Sequence, residues 1–541
     1  MFRLPRNSLL SPGMRQLTAL LSLTALLGGC SLPKKTDVAE SFVLDIQKTQ
    51  STQLSEAVLP MITEHPNLSG IYALDDAHEA FAARALLTKT AEKSLDIQYY
   101  IWRGDTAGYY LLRNIKKAAD RGVRVRMLLD DNGTRNLDHM LYSLNKHPNI
   151  EIRLFNPFVI RRPKGIGFFF DFERLNRRMH NKSFTVDNTV TIVGGRNIGD
   201  EYFGGSSAIT FMDLDVMALG KVVPEVSADF DRYWNNESAY PIELLLKERD
   251  LVAANETQSK GYALEFEELL KQNKKRWQRL NTATQESNLI DELLTGDLNL
   301  QWVKTEMVSD DPNKVRGLAS KEEHLSYQLH HAIGTPEHSV DLVSPYFVPT
   351  ETGVTGFGSL IAEDNVRVRV LTNSYDATDV AIVHAGYMKH RKNLLRAGVE
   401  LFELKKTIQD DPPLPRRIKR RIRKPLGISG SSLHAKTFAV DGERLFVGSF
   451  NFDPRSALLN TELGFVIHSP KLAEQIANLF EEDIPLISYQ VVLTPDGRLR
   501  WIERYPDENT PFIRHEIEPN TTLIERFWLG FLSRLPIEWM L

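Results

Sequence analysis

The chain has 541 residues, too many for one ordinary domain and suited to two domains or a duplicated one. Hydrophobic residues make up 42% and charged residues 25%, which argues against both wholesale disorder and a polytopic membrane protein. With 66 basic and 70 acidic residues the net charge is −4, unlike a strongly basic nucleic-acid binder, so no nucleic-acid partner is expected.

The first segment reads as a leader. Arg3, Arg6 and Arg15 precede an apolar run from Leu17 to Leu27, shorter than the roughly 20 residues of a membrane-spanning helix. It closes on Leu27-Gly28-Gly29-Cys30, and Cys30 is the only cysteine, so no disulfide can form within the chain. Leu-Gly-Gly-Cys resembles the bacterial lipobox, which implies a signal peptide over residues 1–29 and acyl chains on Cys30. Two or more such chains give stable anchoring to a membrane surface. Loss of residues 1–29 removes three arginines and no acid, moving the charge from −4 to −7. The expected location is that of a bacterial lipoprotein exported to the periplasmic side, with residues 30–70 as a tether. Ser31 stands where an aspartate would favour the inner membrane, and inner versus outer membrane is left open.

An internal duplication organises the remainder. Leu95-Asp96-Ile97-Gln98-Tyr99-Tyr100 opens a first copy as a buried strand, and Val340-Asp341-Leu342-Val343-Ser344-Pro345-Tyr346 opens a second. The β-rich runs 123–129 and 149–155 are answered by 366–372 and 398–404 in the same order. Strands alternating with helices predict an α/β fold of two duplicated units, residues 71–245 and 311–480, packed with pseudo-twofold symmetry around an active site at their interface. Residues 246–310 read as a helical connector and 481–541 as a C-terminal extension. In the extension Leu499-Arg500-Trp501-Ile502 is strand-like. The aromatic stretch Ile524 to Leu541 is helical, expected to pack on the domain surface, with membrane contact as the alternative.

Each copy closes on one motif. The first reads His180-Asn181-Lys182-Ser183-Phe184-Thr185-Val186-Asp187, then Gly194-Gly195-Arg196-Asn197; the second reads His434-Ala435-Lys436-Thr437-Phe438-Ala439-Val440-Asp441, then Gly448-Ser449-Phe450-Asn451. Period-two alternation puts each histidine and its lysine on one face of a strand. Asp187 and Asp441 begin turn pairs and have a structural part, tying down the hairpin. Each return strand ends at Asn197 or Asn451, beside its histidine.

The set suits displacement at a phosphodiester. A neutral imidazole attacks phosphorus, and a protonated one supplies the proton to the leaving alkoxide. Lysine and asparagine donors neutralise the non-bridging oxygens, with Gly194, Gly195, Gly448 and Ser449 as candidate substrate-binding positions. No metal or other cofactor is required, and no His/Cys/carboxylate set has ligand spacing. An imidazole needs a carboxylate to fix its tautomer. Alignment of the copies offers Asp213 for His180 and Glu462 for His434. Ser449 has Gly195 as its counterpart, so the two halves of the site need not be equivalent.

Three further features have two readings each. Arg416 to Lys424 holds seven basic residues in nine, either a solvated loop or a contact for anionic substrate or lipid. Gly165 to Phe170 is expected as a buried strand, with a dip into lipid as the alternative. Arg174, Arg177 and Arg178 meet anionic headgroups or are solvated.

These motifs resemble the phospholipase D superfamily over roughly residues 70 to 541. Leu175 to Phe184, Val193 to Asp200, Gly448 to Ser456, Val308 to Pro312 and Leu535 to Trp539 look like the bacterial cardiolipin synthases of the C type. That resemblance implies phospholipid substrates and transfer of a phosphatidyl group from phosphatidylglycerol or phosphatidylethanolamine to phosphatidylglycerol. It also implies His180 as nucleophile and His434 as acid and base, although the motifs alone allow the reverse. Hydrolysis to phosphatidic acid, or phosphodiester cleavage in nucleic acid, would use the same residues. The acidic chain and the anchor favour lipid.

Overall fold

The computed structural model describes residues 31–204, 211–247, 268, 271–406, 432–505 and 512–541. The leader, Cys30 and the basic run 416–424 lie outside them. Two large mixed sheets carry the two copies. In the first, the order is Gln301–Val303, Ser69–Leu74, Asp215–Gly220, Val190–Gly194, Ser183–Val186, Ser94–Tyr99, Arg124–Asp130, Ile150–Phe155 and Ala239–Pro241. In the second it is Thr305–Ser309, Leu463–His468, Arg444–Gly448, Thr437–Val440, Ser339–Val343, Arg367–Asn373, Glu400–Leu404, Ser488–Leu493, Leu499–Arg504 and Phe512–His515.

The two central triplets are superimposable in pattern. Ser94–Tyr99, Arg124–Asp130 and Ile150–Phe155 run parallel, as do Ser339–Val343, Arg367–Asn373 and Glu400–Leu404. Parallel strands covered on both faces read as apolar runs, which is why these segments were legible. Each triplet also hides one charge pair at matched register. Asp96 faces Arg126 and takes Nε at 2.7 Å, while Asp341 faces Arg369 and takes Nε at 2.6 Å. The motif strand joins each triplet antiparallel, through Ser183–Val186 in one copy and Thr437–Val440 in the other.

One apolar cluster holds residues of both sheets, among them Val193, Val216 and Ala218 with Val447, Phe465 and Leu404. The sheets therefore share a core, and the return strands Val190–Gly194 and Arg444–Gly448 meet at the seam.

Several segments differ from expectation. Within the connector, Gln301–Val303 pairs with Ser69–Leu74 and Thr305–Ser309 pairs with Leu463–His468, so it supplies an edge to each sheet besides its helices Lys274–Glu286 and Leu289–Thr295. The tether is partly fastened: Arg126 Nη1 donates to Ser41 O at 2.8 Å and Arg153 Nη2 to Ala39 O at 2.9 Å. Gly165 to Phe170 is not a strand. It forms the helical turns Lys164–Ile166 and Gly167–Phe170, which pack on the fold through Gly167, close to Leu175 and Phe158, and through Phe168, whose ring lies 5.4 Å from that of Phe158. Phe169 and Phe170 are 87% and 79% exposed. In the extension, Thr522 and Glu525 form a capping box that starts the helix Leu523–Leu532. No helix among the described residues is long and apolar enough to cross a membrane.

Candidate active site

The segments carrying the histidines are set by exchange between the copies. Met179 bridges Thr461 in parallel, and His180 N donates to Thr461 O at 2.8 Å. Ser432–Leu433 pairs in parallel with Phe211–Met212, and His434 N donates to Met212 O at 2.7 Å. With the backbone N–H of each histidine committed to the other copy, His180 and Lys182 precede the strand, which begins at Ser183; His434 and Lys436 likewise precede Thr437. The expected common strand face is corrected to an extended lead-in.

Sequence reasoning passed over the residues that hold this lead-in from behind. Asp130 accepts from Met179 N at 2.9 Å and from Arg178 Nε at 2.9 Å. At the same position in the second copy, Asn373 accepts from Leu433 N at 2.9 Å and donates to Leu433 O at 3.0 Å. The available signal was a polar residue ending each of two matched apolar strands. Arg178 is accordingly a buried structural cation, Arg177 donates to Lys314 O at 3.1 Å, and Arg174 pairs with Asp171.

The carboxylates are crossed relative to expectation. Glu462 Oε2 lies 2.8 Å from His180 Nδ1, and Asp213 Oδ2 lies 2.5 Å from His434 Nδ1. The parallel bridges cause this. Thr461 sits opposite Met179 and Met212 opposite Leu433, so the next residue along each pair brings Glu462 to His180 and Asp213 to His434.

The lysines fold back on their own histidines. Lys182 Nζ donates to His180 O, Lys436 Nζ donates to His434 O, and Lys436 Nζ lies 3.0 and 3.2 Å from the ring nitrogens of His434. Asn197 donates to Tyr202 OH at 3.0 Å and accepts from Ile101 N at 3.1 Å, whereas the buried Oδ1 of Asn451 has no protein partner. His180, His434, Asn197 and Asn451 line one cavity of about 620 Å³. Tyr100, Tyr202, Tyr346, Asp379 and Arg455 are among the other polar residues of its wall, and no motif marks them in the sequence.

Gly194, Gly195, Gly448 and Ser449 are not among the cavity-lining residues, which corrects their expected place at the substrate. They allow close approach behind it. A Cβ at Gly195 would stand 2.1 Å from Asp213 Oδ1, one at Gly194 2.2 Å from Asp215 Oδ1, and one at Gly448 2.5 Å from Leu463 O. Ser449 instead donates to Glu462 Oε2 at 2.5 Å. Asp187 and Asp441 lie away from the cavity. Asp187 accepts from the backbone N–H of Glu92, Lys93 and Ser94, and Asp441 from those of Glu337, His338 and Ser339. Each thus clamps the hairpin to the start of the first strand of its triplet.

The family whose model is described as "Cardiolipin synthase, PLD-like domain" matches residues 86–234 and 329–484, one match on each copy. The chain belongs to the cardiolipin synthase family of phospholipase D-like proteins. It is 45% identical over 491 residues to cardiolipin synthase C of Escherichia coli K12, covering 90% of this chain and 100% of that one. A cardiolipin synthase of Listeria welshimeri is 26% identical over 432 residues, covering 79% and 71%. The crystal structure of phosphatidylserine synthase from Haemophilus influenzae Rd KW20 superposes with a TM-score of 0.54 at 15% identity, over 91% of this chain and 100% of that one, which speaks to the fold.

In this cardiolipin synthase family member the two imidazole–carboxylate pairs differ electrostatically. Burial, then the charges of Lys182 and Lys436, hold His180 well below the usual histidine range. Burial and Lys436 also lower His434, but there the Asp213 carboxylate works in the opposite direction. Burial raises Glu462 to about 7, against Lys182 and the Ser449 hydroxyl. For Asp213 burial is outweighed by His434 and Lys436, which hold it below the usual carboxylate range. Burial also brings Lys182 down to about 7. A low-dielectric pocket thus contains one imidazole kept neutral and a second with an anionic partner able to stabilise its proton.

Proposed function

We propose that the chain transfers a phosphatidyl group from phosphatidylglycerol or phosphatidylethanolamine to a glycerol hydroxyl of phosphatidylglycerol, making cardiolipin through a phosphohistidine. The observation that carries the mechanism is the convergence of His180–Glu462 and His434–Asp213 on one cavity. The 45% likeness to cardiolipin synthase C along almost the whole chain supports the substrate.

Glu462 holds Nδ1 of His180, leaving Nε2 to attack phosphorus. The N–P bond forms as the bond from phosphorus to the headgroup oxygen breaks, and His434 gives its proton to that oxygen, releasing glycerol or ethanolamine. In the second step the acceptor hydroxyl gives its proton to His434, its oxygen bonds phosphorus, and His180 leaves. Anionic Asp213 favours the proton on His434, and the neutral state of His180 favours attack, which is the reason for this order of roles. Asn197 and Asn451, which line the cavity, stabilise the phosphoryl oxygens as charge develops, and the charges of Lys182 and Lys436 support them from behind the histidines. Acylation of Cys30 and export to the periplasmic face would hold the enzyme beside its substrate.

Purified protein supplied with phosphatidylglycerol, with and without phosphatidylethanolamine, tests this by lipid analysis. Cardiolipin made by the unaltered chain and lost in His180→Ala and His434→Ala is expected. Phosphatidic acid as the only product overturns the transferase reading, and a phosphoenzyme persisting in His180→Ala reverses the two roles. Mass analysis of Cys30, with Cys30→Ser beside it, tests the anchor.

A further inference from the structure

A phosphatidyl group cannot reach the histidines alone, because its acyl chains must stay in an apolar phase while phosphorus enters a polar cavity. The cavity has an apolar side. Val380, Ile382 and Val383 line it together with Met540 and Leu541. Arg455 fixes those last two residues, donating Nε to Met540 O at 3.0 Å and its backbone N–H to Leu541 O at 2.6 Å.

Two exposed aromatic patches are joined to this side of the cavity. The residue next to Met540 is Trp539, 56% exposed, whose ring meets Phe172 edge-on at 6.4 Å between centroids. Phe172 belongs to the same turn system as Phe169 and Phe170, the most exposed large apolar side chains among the described residues. On the other side, the helix Leu523–Leu532 packs against Ala381–Ala397, the helix whose first turn lines the cavity. It buries Leu529 and turns Ile524, Phe527, Trp528 and Phe531 outward, the i, i+3, i+4, i+7 stripe of an amphipathic helix with its apolar face to solvent. Charge accompanies the first of these patches. Arg135 and Arg162 are exposed in the cleft that Phe168 also lines.

We infer that this aromatic rim, Phe169, Phe170, Phe172 and Trp539 together with the outer stripe of Leu523–Leu532, inserts into the acyl boundary of an anionic phospholipid bilayer and presents the cavity mouth to it. An in-plane amphipathic helix with aromatic and aliphatic side chains on one face suits that boundary, and the basic side chains of Arg135 and Arg162 beside the Phe169 and Phe170 patch suit anionic headgroups. The inference rests on the phosphatidyl-transfer reading for its choice of lipid, and it concerns a surface distinct from any anchor at Cys30. A tether holds the protein near the bilayer, whereas the rim decides which face meets it.

The test uses the full chain with vesicles of phosphatidylglycerol and phosphatidylethanolamine. With brominated acyl chains, tryptophan fluorescence is quenched in the unaltered protein, and most of that quenching is lost in the Trp528→Phe, Trp539→Phe double variant. The Phe170→Ser, Phe527→Ser double variant loses about tenfold of its transfer on vesicles while keeping that on monomeric short-chain phosphatidylglycerol, since only docking is impaired. Quenching that is unchanged by the tryptophan substitutions overturns the proposal, as does an equal loss on both substrates. A rim covered by a second copy of the chain also overturns it, and would show as a sedimentation mass that halves in Phe527→Ser without bromolipid quenching. If the unaltered chain transfers on neither substrate, the transferase reading fails, and the quenching comparison still decides the docking face.

Discussion

Glu462 and His180, 282 residues apart in the chain, meet at 2.8 Å, and the equivalent pair Asp213 and His434 meets at 2.5 Å. Each copy therefore supplies the carboxylate that orients the other copy's imidazole. A site divided in this way is complete only when the two copies are docked, and it makes the contribution of each carboxylate separable.

Glu462→Gln acts on His180 and is expected to slow formation of the phosphoenzyme, while Asp213→Asn acts on His434 and is expected to impair proton transfer in both steps. Losses of ~10²–10⁴-fold in kcat are expected, the range of general acid–base contributions. Rapid-quench measurement of phosphoenzyme formation against cardiolipin release checks the assignment. A normal rate of phosphoenzyme formation in Glu462→Gln would contradict the crossed pairing.

Gly195 and Ser449 occupy equivalent positions, but exchanging their residues has unequal consequences. Gly195→Ser places a Cβ 2.1 Å from the resting position of Asp213 Oδ1, and the short aspartate can move only by releasing His434. A loss near that of Asp213→Asn is expected. Ser449→Gly removes one hydroxyl from Glu462 and leaves its bond to His180, so a milder loss of about 10- to 150-fold is expected, the equivalent of ~1.5–3 kcal/mol for a hydrogen bond to a charged group. Kinetic constants of the two variants, with circular dichroism to show folding, decide the matter.

Stability should fall with pH through Glu462. Its carboxyl has an ordinary value of 4.5 and is raised to about 7 by burial. A raised folded pKa means that its stabilising contribution is full below about 4.5 and is lost as pH rises through 7. Thermal melts from pH 4 to 8 are expected to show a shallower decline in Glu462→Gln than in the unaltered chain. An identical or steeper slope would show that the carboxylate is not destabilised by its site.

Asp187 has no place at the cavity, and its replacement should uncouple stability from chemistry. Asp187→Ala leaves three backbone N–H groups without their acceptor, at ~1–3 kcal/mol for each one left buried and unsatisfied. It also removes a side chain suited to the positive φ of 52° at that position. A clear fall in melting temperature is expected, with kcat per folded molecule nearly unchanged and Asp187→Asn intermediate. The same pattern at Asp441, whose φ is 57°, would show the two clamps to be equivalent.

The sequence by itself determined the duplication, the order of strands in each copy and the four motif side chains His180, Lys182, His434 and Lys436. It could do so because these are local patterns: apolar runs for strands buried on both faces, and a motif whose spacing is repeated with its asparagine. Asp213 and Glu462 were also legible as carboxylates at matched distances beyond the motifs. Tertiary structure alone decided which histidine each serves, because that depends on Met179 bridging Thr461 and Leu433 bridging Met212, contacts between strand ends from different copies that leave no periodicity in either segment. The same holds for Gly195, whose missing side chain has meaning only beside Asp213, and for Phe169 and Phe170. They are apolar enough to be read as core, yet they stand outside because the turn Gly167–Phe170 packs on the fold through Gly167 and Phe168 instead.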